Sequence, residues 1–353
     1  MKKNNQELSL INVALMYVSV IMGAGFASGR EIWQFFGVFG DKGRLGVTFV
    51  AILFVIVGMM TSYIARKLNT NDMGRVIVPG NNKVLISIVG YFMAVMLMTV
   101  MVTMCAAAGS LFNQQFGLPV PLGGIVLAVL SVITIFGNFE RISKVFRLIM
   151  PALFAIVIIA CILVIFWNFD SSGYNDPIEP SPIAGNCILA AFLYISYNIL
   201  ALIPFVSTTA VNAKNDRAGI VGSGLGGIFL GLLAMLIVLA LQRDMPFAQA
   251  MDMPMLAYSM RVSKPIGYVF MVVLFFAIYS AATSNFYGVT TKIKEGKNKK
   301  KIIIGLVAFS YAASLVGFKN IIEYLFPIYG YLGFAIMFLI TVNFFKVYRE
   351  NKK

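Results

Sequence analysis

The stretch Met22-Gly23-Ala24-Gly25-Phe26-Ala27-Ser28-Gly29-Arg30-Glu31 decides the reading, because it sets three glycines, a serine and two charges inside the first long apolar segment. An ordinary membrane helix resists that composition. Glycine costs about 1 kcal/mol relative to alanine in a helix interior, and a charge inside a span costs roughly 2.5–3.5 kcal/mol on insertion scales. Two accounts fit. The stretch is a small-residue packing face with Arg30 and Glu31 reaching outward, or the helix is interrupted, which lipid tolerates only where backbone lines a cavity.

The rest of the chain supplies the context. Of 353 residues, 59% are hydrophobic and 12% charged, and the mean hydropathy is +0.87; soluble domains carry roughly 25% charged residues. Apolar runs reach or approach the length of a bilayer-spanning helix all along the sequence. The first of them, from about Leu8, is too long for a cleavable signal and lacks a small-residue cleavage site, so it belongs to the structure. Ten helices are expected: Ser9 to Phe39, Leu45 to Ala65, Val84 to Phe112, Pro121 to Gly137, Leu148 to Trp167, Pro182 to Ala210, Ala218 to Leu241, Pro265 to Thr290, Ile302 to Phe318 and Asn320 to Phe345. The fold class is an all-α membrane protein.

The net charge of +14 does not point to nucleic acid, because the bases sit in short loops between spans. With the N-terminus placed inside, 21 of the 28 bases fall on that side, and Arg30, Lys42, Arg44, Arg243, Arg261, Lys264 and Lys319 do not. The outside loop Asn168 to Asn186 has three acids and no base. The excess of Lys and Arg predicts both termini in the cytoplasm and a multi-pass protein of the cell membrane. Cys105, Cys161 and Cys187 all lie in apolar runs, as small packing residues, with no disulfide framework or metal cluster indicated.

Five helices per half give the second half the opposite orientation, the arrangement of inverted-repeat transporters. The expected repeats are residues 1–170 and 171–353. The first helix of the second half offers a matching interruption at Ser196-Tyr197-Asn198, with Pro204 shortly after. Backbone freed by two such breaks attracts a cation or ammonium group at half-helix C-termini and a carboxylate at N-termini. A zwitterionic amino acid satisfies both.

At these residues the sequence resembles the amino acid-polyamine-organocation superfamily, whose first helix carries a break like Gly23-Ala24-Gly25. The longer string Gly23 to Glu31 is similar to that of the YkvI-type bacterial membrane proteins, classed among candidate amino-acid permeases. The resemblance covers essentially the whole chain and implies the leucine-transporter (LeuT) type fold, with substrate between the first and sixth helices. The substrate-binding residues it implies are Gly23, Ala24, Gly25, Phe26, Ser196, Tyr197, Asn198 and Tyr279, with Met104 and Phe192 as further wall candidates. On the eighth helix Ser280, Thr283 and Ser284 share one face at i, i+3 and i+4. Such hydroxyls commonly bond a neighbouring carbonyl. In sodium-coupled members of the fold two carbonyls of the broken helix and a Ser/Thr pair hold the ion, which the resemblance places at Ser19, Met22, Thr283 and Ser284; oxygen ligands suit a hard cation. Proton-coupled relatives put a lysine of the fifth helix there, whereas Leu148 to Trp167 holds neither acid nor base and the chain has no histidine. The resemblance also implies an outer gate of Arg30 and Glu323; the alternatives are that Arg30 bonds Glu31 or that both simply face water.

The expected function is secondary transport of a small solute, an amino acid or related amphipathic molecule, coupled to sodium by alternating access and needing no other cofactor. Alternatives are a passive channel or scramblase, or a transport-inactive receptor. Enzymatic chemistry is disfavoured: without histidine or a Cys cluster, the mid-membrane serines have no base. The partners expected are the solute and the lipid bilayer; the sequence does not fix the oligomeric state.

Overall fold

In a computed structural model, the structure describes residues 8–80, 82–137, 139–170, 173–175, 177–290, 293 and 296–352. Lys2, Lys3, Lys292, Lys294 and Lys353 of the charge asymmetry lie outside the described residues. The described chain is almost wholly helical, as apolar segments must be where only the backbone itself can satisfy its N–H and C=O groups.

The first expected helix is in three pieces, α1 (Leu10–Ile21), α2 (Ala24–Ala27) and α3 (Arg30–Phe35). Then come α4 (Asp41–Lys67), a short α5 (Met73–Ile77), α6 (Lys83–Phe116), α7 (Val120–Phe136) and α8 (Phe139–Phe166). The second half holds α9 (Cys187–Val211), α10 (Asp216–Leu241), the short pair α11 (Met245–Ala250) and α12 (Pro254–Val262), α13 (Lys264–Thr290) and α14 (Lys299–Ser314). It ends with α15 (Phe318–Asn320), a π-turn over Ile321–Leu325, and α16 (Phe326–Glu350). Six of these helical stretches, those of α4, α6, α9, α10, α13 and α15–α16, are long and apolar enough to cross a bilayer. Asparagines cap several starts, as Asn186 does by accepting the Leu189 N–H (2.9 Å) and Asn215 that of Ala218 (2.7 Å).

One interruption differs from expectation. The helix α9 runs unbroken through Ser196-Tyr197-Asn198 and Pro204. Its polar side chains turn back on their own helix: Asn198 donates to Tyr194 O (2.8 Å), Ser207 to Ile203 O (2.6 Å) and Thr208 to Pro204 O (2.9 Å). Such back-bonding lets a membrane helix carry these residues and a proline without unwinding.

Two groups of helices build the bundle. In one, α1, α4, α9, α10 and α16 pack on one another; in the other, α6 packs against α7, α13 and α14, and α13 against α8. The first is sewn by the glycines of α10. A methyl on Gly227 would lie 2.7 Å from Val55 N, and one on Gly226 2.5 Å from Tyr17 Cβ, so only glycine lets these helices approach so closely.

The start of α1 and the end of α16 lie at the same end of the bundle. There Leu8 pairs with the backbone of Asn212 and Lys214 (both 3.0 Å), Arg66 bonds Asp216 (2.8 Å) and Ala213 O (2.9 Å), and Tyr63 packs on Phe344 and Tyr348. At the opposite end Gln242 accepts from Arg44 (2.7 Å) and donates to Gly40 O (2.7 Å).

Candidate functional site

The interruption in the first helix begins where the Gly23 N–H turns to Ile21 O (2.7 Å), leaving Ser19 O without the partner that helical register would give it. A Cβ on Gly23 would meet nothing within 4 Å, so space opens beside the backbone here. After one turn of helix, Ser28 bonds Gly25 O (3.2 Å), and Gly29 takes a positive φ of 81° that side chains resist. The chain thereby changes direction, and α3 starts on a new phase.

All six residues of α3 are buried, although its sequence is Arg-Glu-Ile-Trp-Gln-Phe. Glu31 folds back over the break. A Cβ on Gly25 would overlap its carboxylate, and its Oε2 accepts a hydrogen bond from the Tyr197 hydroxyl of α9. The Tyr197 ring in turn packs on Phe326 (centroids 4.9 Å apart), Tyr194 (5.4 Å) and Phe35 (5.7 Å). Of the residues expected around a solute, Gly25 and Tyr197 are thus brought together through Glu31. Ala24 and Phe26 are buried beside them, and α2 packs on α13.

Other expected residues lie elsewhere. The Ser196 hydroxyl faces Met337 sulfur (3.9 Å) and Asn198 serves its own helix. Tyr279 bonds Thr134 on α7; its position on α13 turns it to that neighbour instead of the break. Phe192 packs edge-on to Phe49 of α4 (5.2 Å), and Met104 is buried in α6.

The residues expected to hold sodium lie on α13 and at the end of α1. Thr283 donates to Tyr279 O (2.7 Å) within α13, Ser280 is buried, Ser284 is exposed, and the Ser19 hydroxyl bonds Met16 O (2.8 Å). Met22 caps the end of α1. A hydroxyl in a helix finds the carbonyl one turn back more readily than a partner on another helix.

The expected gate takes a different form as well. Among the described residues no acid lies within ion-pair distance of Arg30; Asp252 and Glu323 are its charged neighbours. The fully buried guanidinium donates to Gln249 O (3.2 Å), Met251 O (3.3 Å) and Gln34 Oε1 (3.3 Å). Gln249 also accepts from Trp33 Nε1 (2.6 Å) and, through its carbonyl, from Lys319 (3.3 Å). On the far side of the α11–α12 hairpin, Ser110 bonds Asp252 (2.6 Å) and Gln114 bonds both backbone groups of Met253 (3.1 and 3.0 Å). The hairpin is therefore clamped between α3 and α6. The sequence carried one signal of it that hydropathy passes over: prolines at the first turns of two short segments, Pro246 and Pro254.

No family model matches the chain. It is similar to the "Uncharacterized membrane protein YkvI" of Bacillus subtilis (strain 168), 24% identical over 331 residues, 93% of this chain and 94% of that protein. It is also similar to the "Uncharacterized protein YyaD" of the same organism, 23% identical over 342 residues and covering 92% and 93%. Among solved structures it matches the inward-facing conformation of Mhp1 at a TM-score of 0.66 and 13% identity, over 94% of this chain and 75% of that one. The fold is of the leucine-transporter type, and the chain is a multi-pass membrane protein.

Proposed function

We propose that this chain, which shares the fold of Mhp1 and is related to YkvI, is a secondary active transporter of a small solute, an amino acid or related amphipathic molecule. The observation that carries the reading is the interrupted first helix. Backbone inside the bundle lies open at Gly23, and at Gly25 it is bordered by a carboxylate and a tyrosine from another helix. Broken backbone of this kind is tolerated at membrane depth where it lines a cavity, and residues 1–170 and 171–353 are taken as the two inverted repeats around it. The positive-inside asymmetry supports cytoplasmic termini.

Sodium is the proposed coupling ion. The Ser19 carbonyl, which the Gly23 N–H passes over for Ile21 O, and the packing of α13 on α2 support the assignment. In this reading the ion is shared by Ser19, Met22, Ser280, Thr283 and Ser284, and the Thr283 oxygen can turn a lone pair to it while its proton stays on Tyr279 O. Coupling of two ligands is reciprocal. Reconstituted protein should show saturable counterflow of an amino acid, stimulated several-fold by sodium, and the Thr283→Ala, Ser284→Ala pair should lose that stimulation while expression holds. Flux that never saturates would indicate a pore, binding without flux a receptor, and sodium stimulation unchanged in the double variant would move the ion elsewhere.

A further inference from the structure

We propose that Glu31 is the residue that binds the solute's positively charged amino group, so that the site selects molecules carrying an ammonium. The inference rests on the transporter reading and adds to it a specificity-determining residue.

Glu31 is 7% exposed. A buried carboxylate is costly unless it is paired and hydrogen-bonded, yet the only hydrogen bond it receives among the described residues is from Tyr197. The charged groups nearby are committed elsewhere. On its own helix Arg30 turns to the hairpin carbonyls of Gln249 and Met251. Lys319 donates to Gln249 O, Asp252 accepts from Ser110, and Glu323 neighbours Arg30. From α9 the carboxylate faces Tyr194 and Tyr197. The fold thus presents a carboxylate at the helix break, and among the described residues no base pairs with it.

Three features favour an organic ammonium over a metal cation. The oxygens on hand, a carboxylate and the phenols of Tyr197 and Tyr194, are fewer than the six to eight a hard cation such as calcium collects. The wall is aromatic, with Tyr197 backed by Phe326 and Phe35, and aromatic faces attract ammonium groups. The missing side chain at Gly25 lets the carboxylate lie against backbone, and at Gly23 a Cβ would meet nothing within 4 Å.

The test uses the purified full chain in nanodiscs and follows thermal stability, because a ligand of the folded state raises it. The probes are neutral L-amino acids and short primary alkylamines, each against its deaminated isostere, such as leucine against isocaproate. We expect at least one amine-bearing probe to stabilise the native protein and its isostere not to. Glu31→Gln should weaken that probe about 10- to 100-fold, as loss of a charged hydrogen-bond partner does. Tyr197→Phe should weaken it about 3- to 10-fold, and it keeps the test available should Glu31→Gln not fold. Equal binding of the isostere, unchanged amine affinity in both variants, or a Glu31→Gln effect confined to sodium dependence would each overturn the assignment. If only deaminated solutes bind and exchange in counterflow, the transporter reading stands and the ammonium assignment falls; if no probe binds or exchanges, both fall.

Discussion

At Gly25 the Glu31 carboxylate occupies the space a Cβ would take, so any side chain there must push it aside. Gly25→Leu should therefore displace Glu31 from Tyr197 and fill the neighbourhood of the break, while adding apolar character that favours membrane insertion. Overpacking of this kind costs about 1–3 kcal/mol, so solute affinity should fall roughly tenfold or more while the protein still inserts and elutes as one species. Uptake by proteoliposomes, set beside size-exclusion profiles, checks both halves, and normal uptake would make Gly25 a mere packing residue. The glycines of the break were legible in the sequence because three of them beside two charges in one span fit only a packing face or an interruption. The inward turn of Glu31 was not. Residue spacing fixes which side chains share a face only along a continuous helix, and the positive φ at Gly29 resets that phase one residue before Arg30.

At the scale of elements, the α11–α12 hairpin is held on one side by Arg30 and on the other by Ser110 and Gln114. Arg30→Gln removes a charged donor from two carbonyls, each such bond contributing about 1.5–3 kcal/mol. Hydrogen exchange across residues 244–263 should then speed up about tenfold or more, with the α4–α10 pair unchanged; unaltered exchange would mean the clamp depends on α6 alone. Hydropathy could not reveal this hairpin, whose short helices lie between the long apolar runs. It also misread α9, because Ser, Asn and Pro in mid-span look the same whether a helix unwinds or its hydroxyls and amides bond back to the preceding turn. The Arg30 guanidinium, expected at a gate, is spent on carbonyls that only the folded hairpin supplies.

At the scale of the whole molecule, the all-helical membrane class followed directly from the spacing of apolar runs, while the partners of each run did not, since lipid-facing and protein-facing helices share a composition. The glycines of α10 are the case in point. Gly227 lies against Phe54 and Val55 of α4, and Gly226 against Tyr17 of α1. Gly227→Val should force that seam apart, lowering stability by about 1–3 kcal/mol, read as an earlier thermal transition in detergent. An unchanged transition would show that the seam yields without cost. These contacts join segments far apart along the chain, for α4 begins at Asp41 and α10 at Asp216. A ribosome adding 5–20 residues per second needs roughly 9–35 s to cover that interval. Throughout it α1 and α4 wait in the membrane with α10 unmade, and Leu8 waits for the backbone of Asn212 and Lys214. The break in the first helix is therefore among the earliest parts of the protein to be synthesised and among the last to acquire its surroundings, which sets a birth order in which a complete bundle arrives only with the second half of the chain.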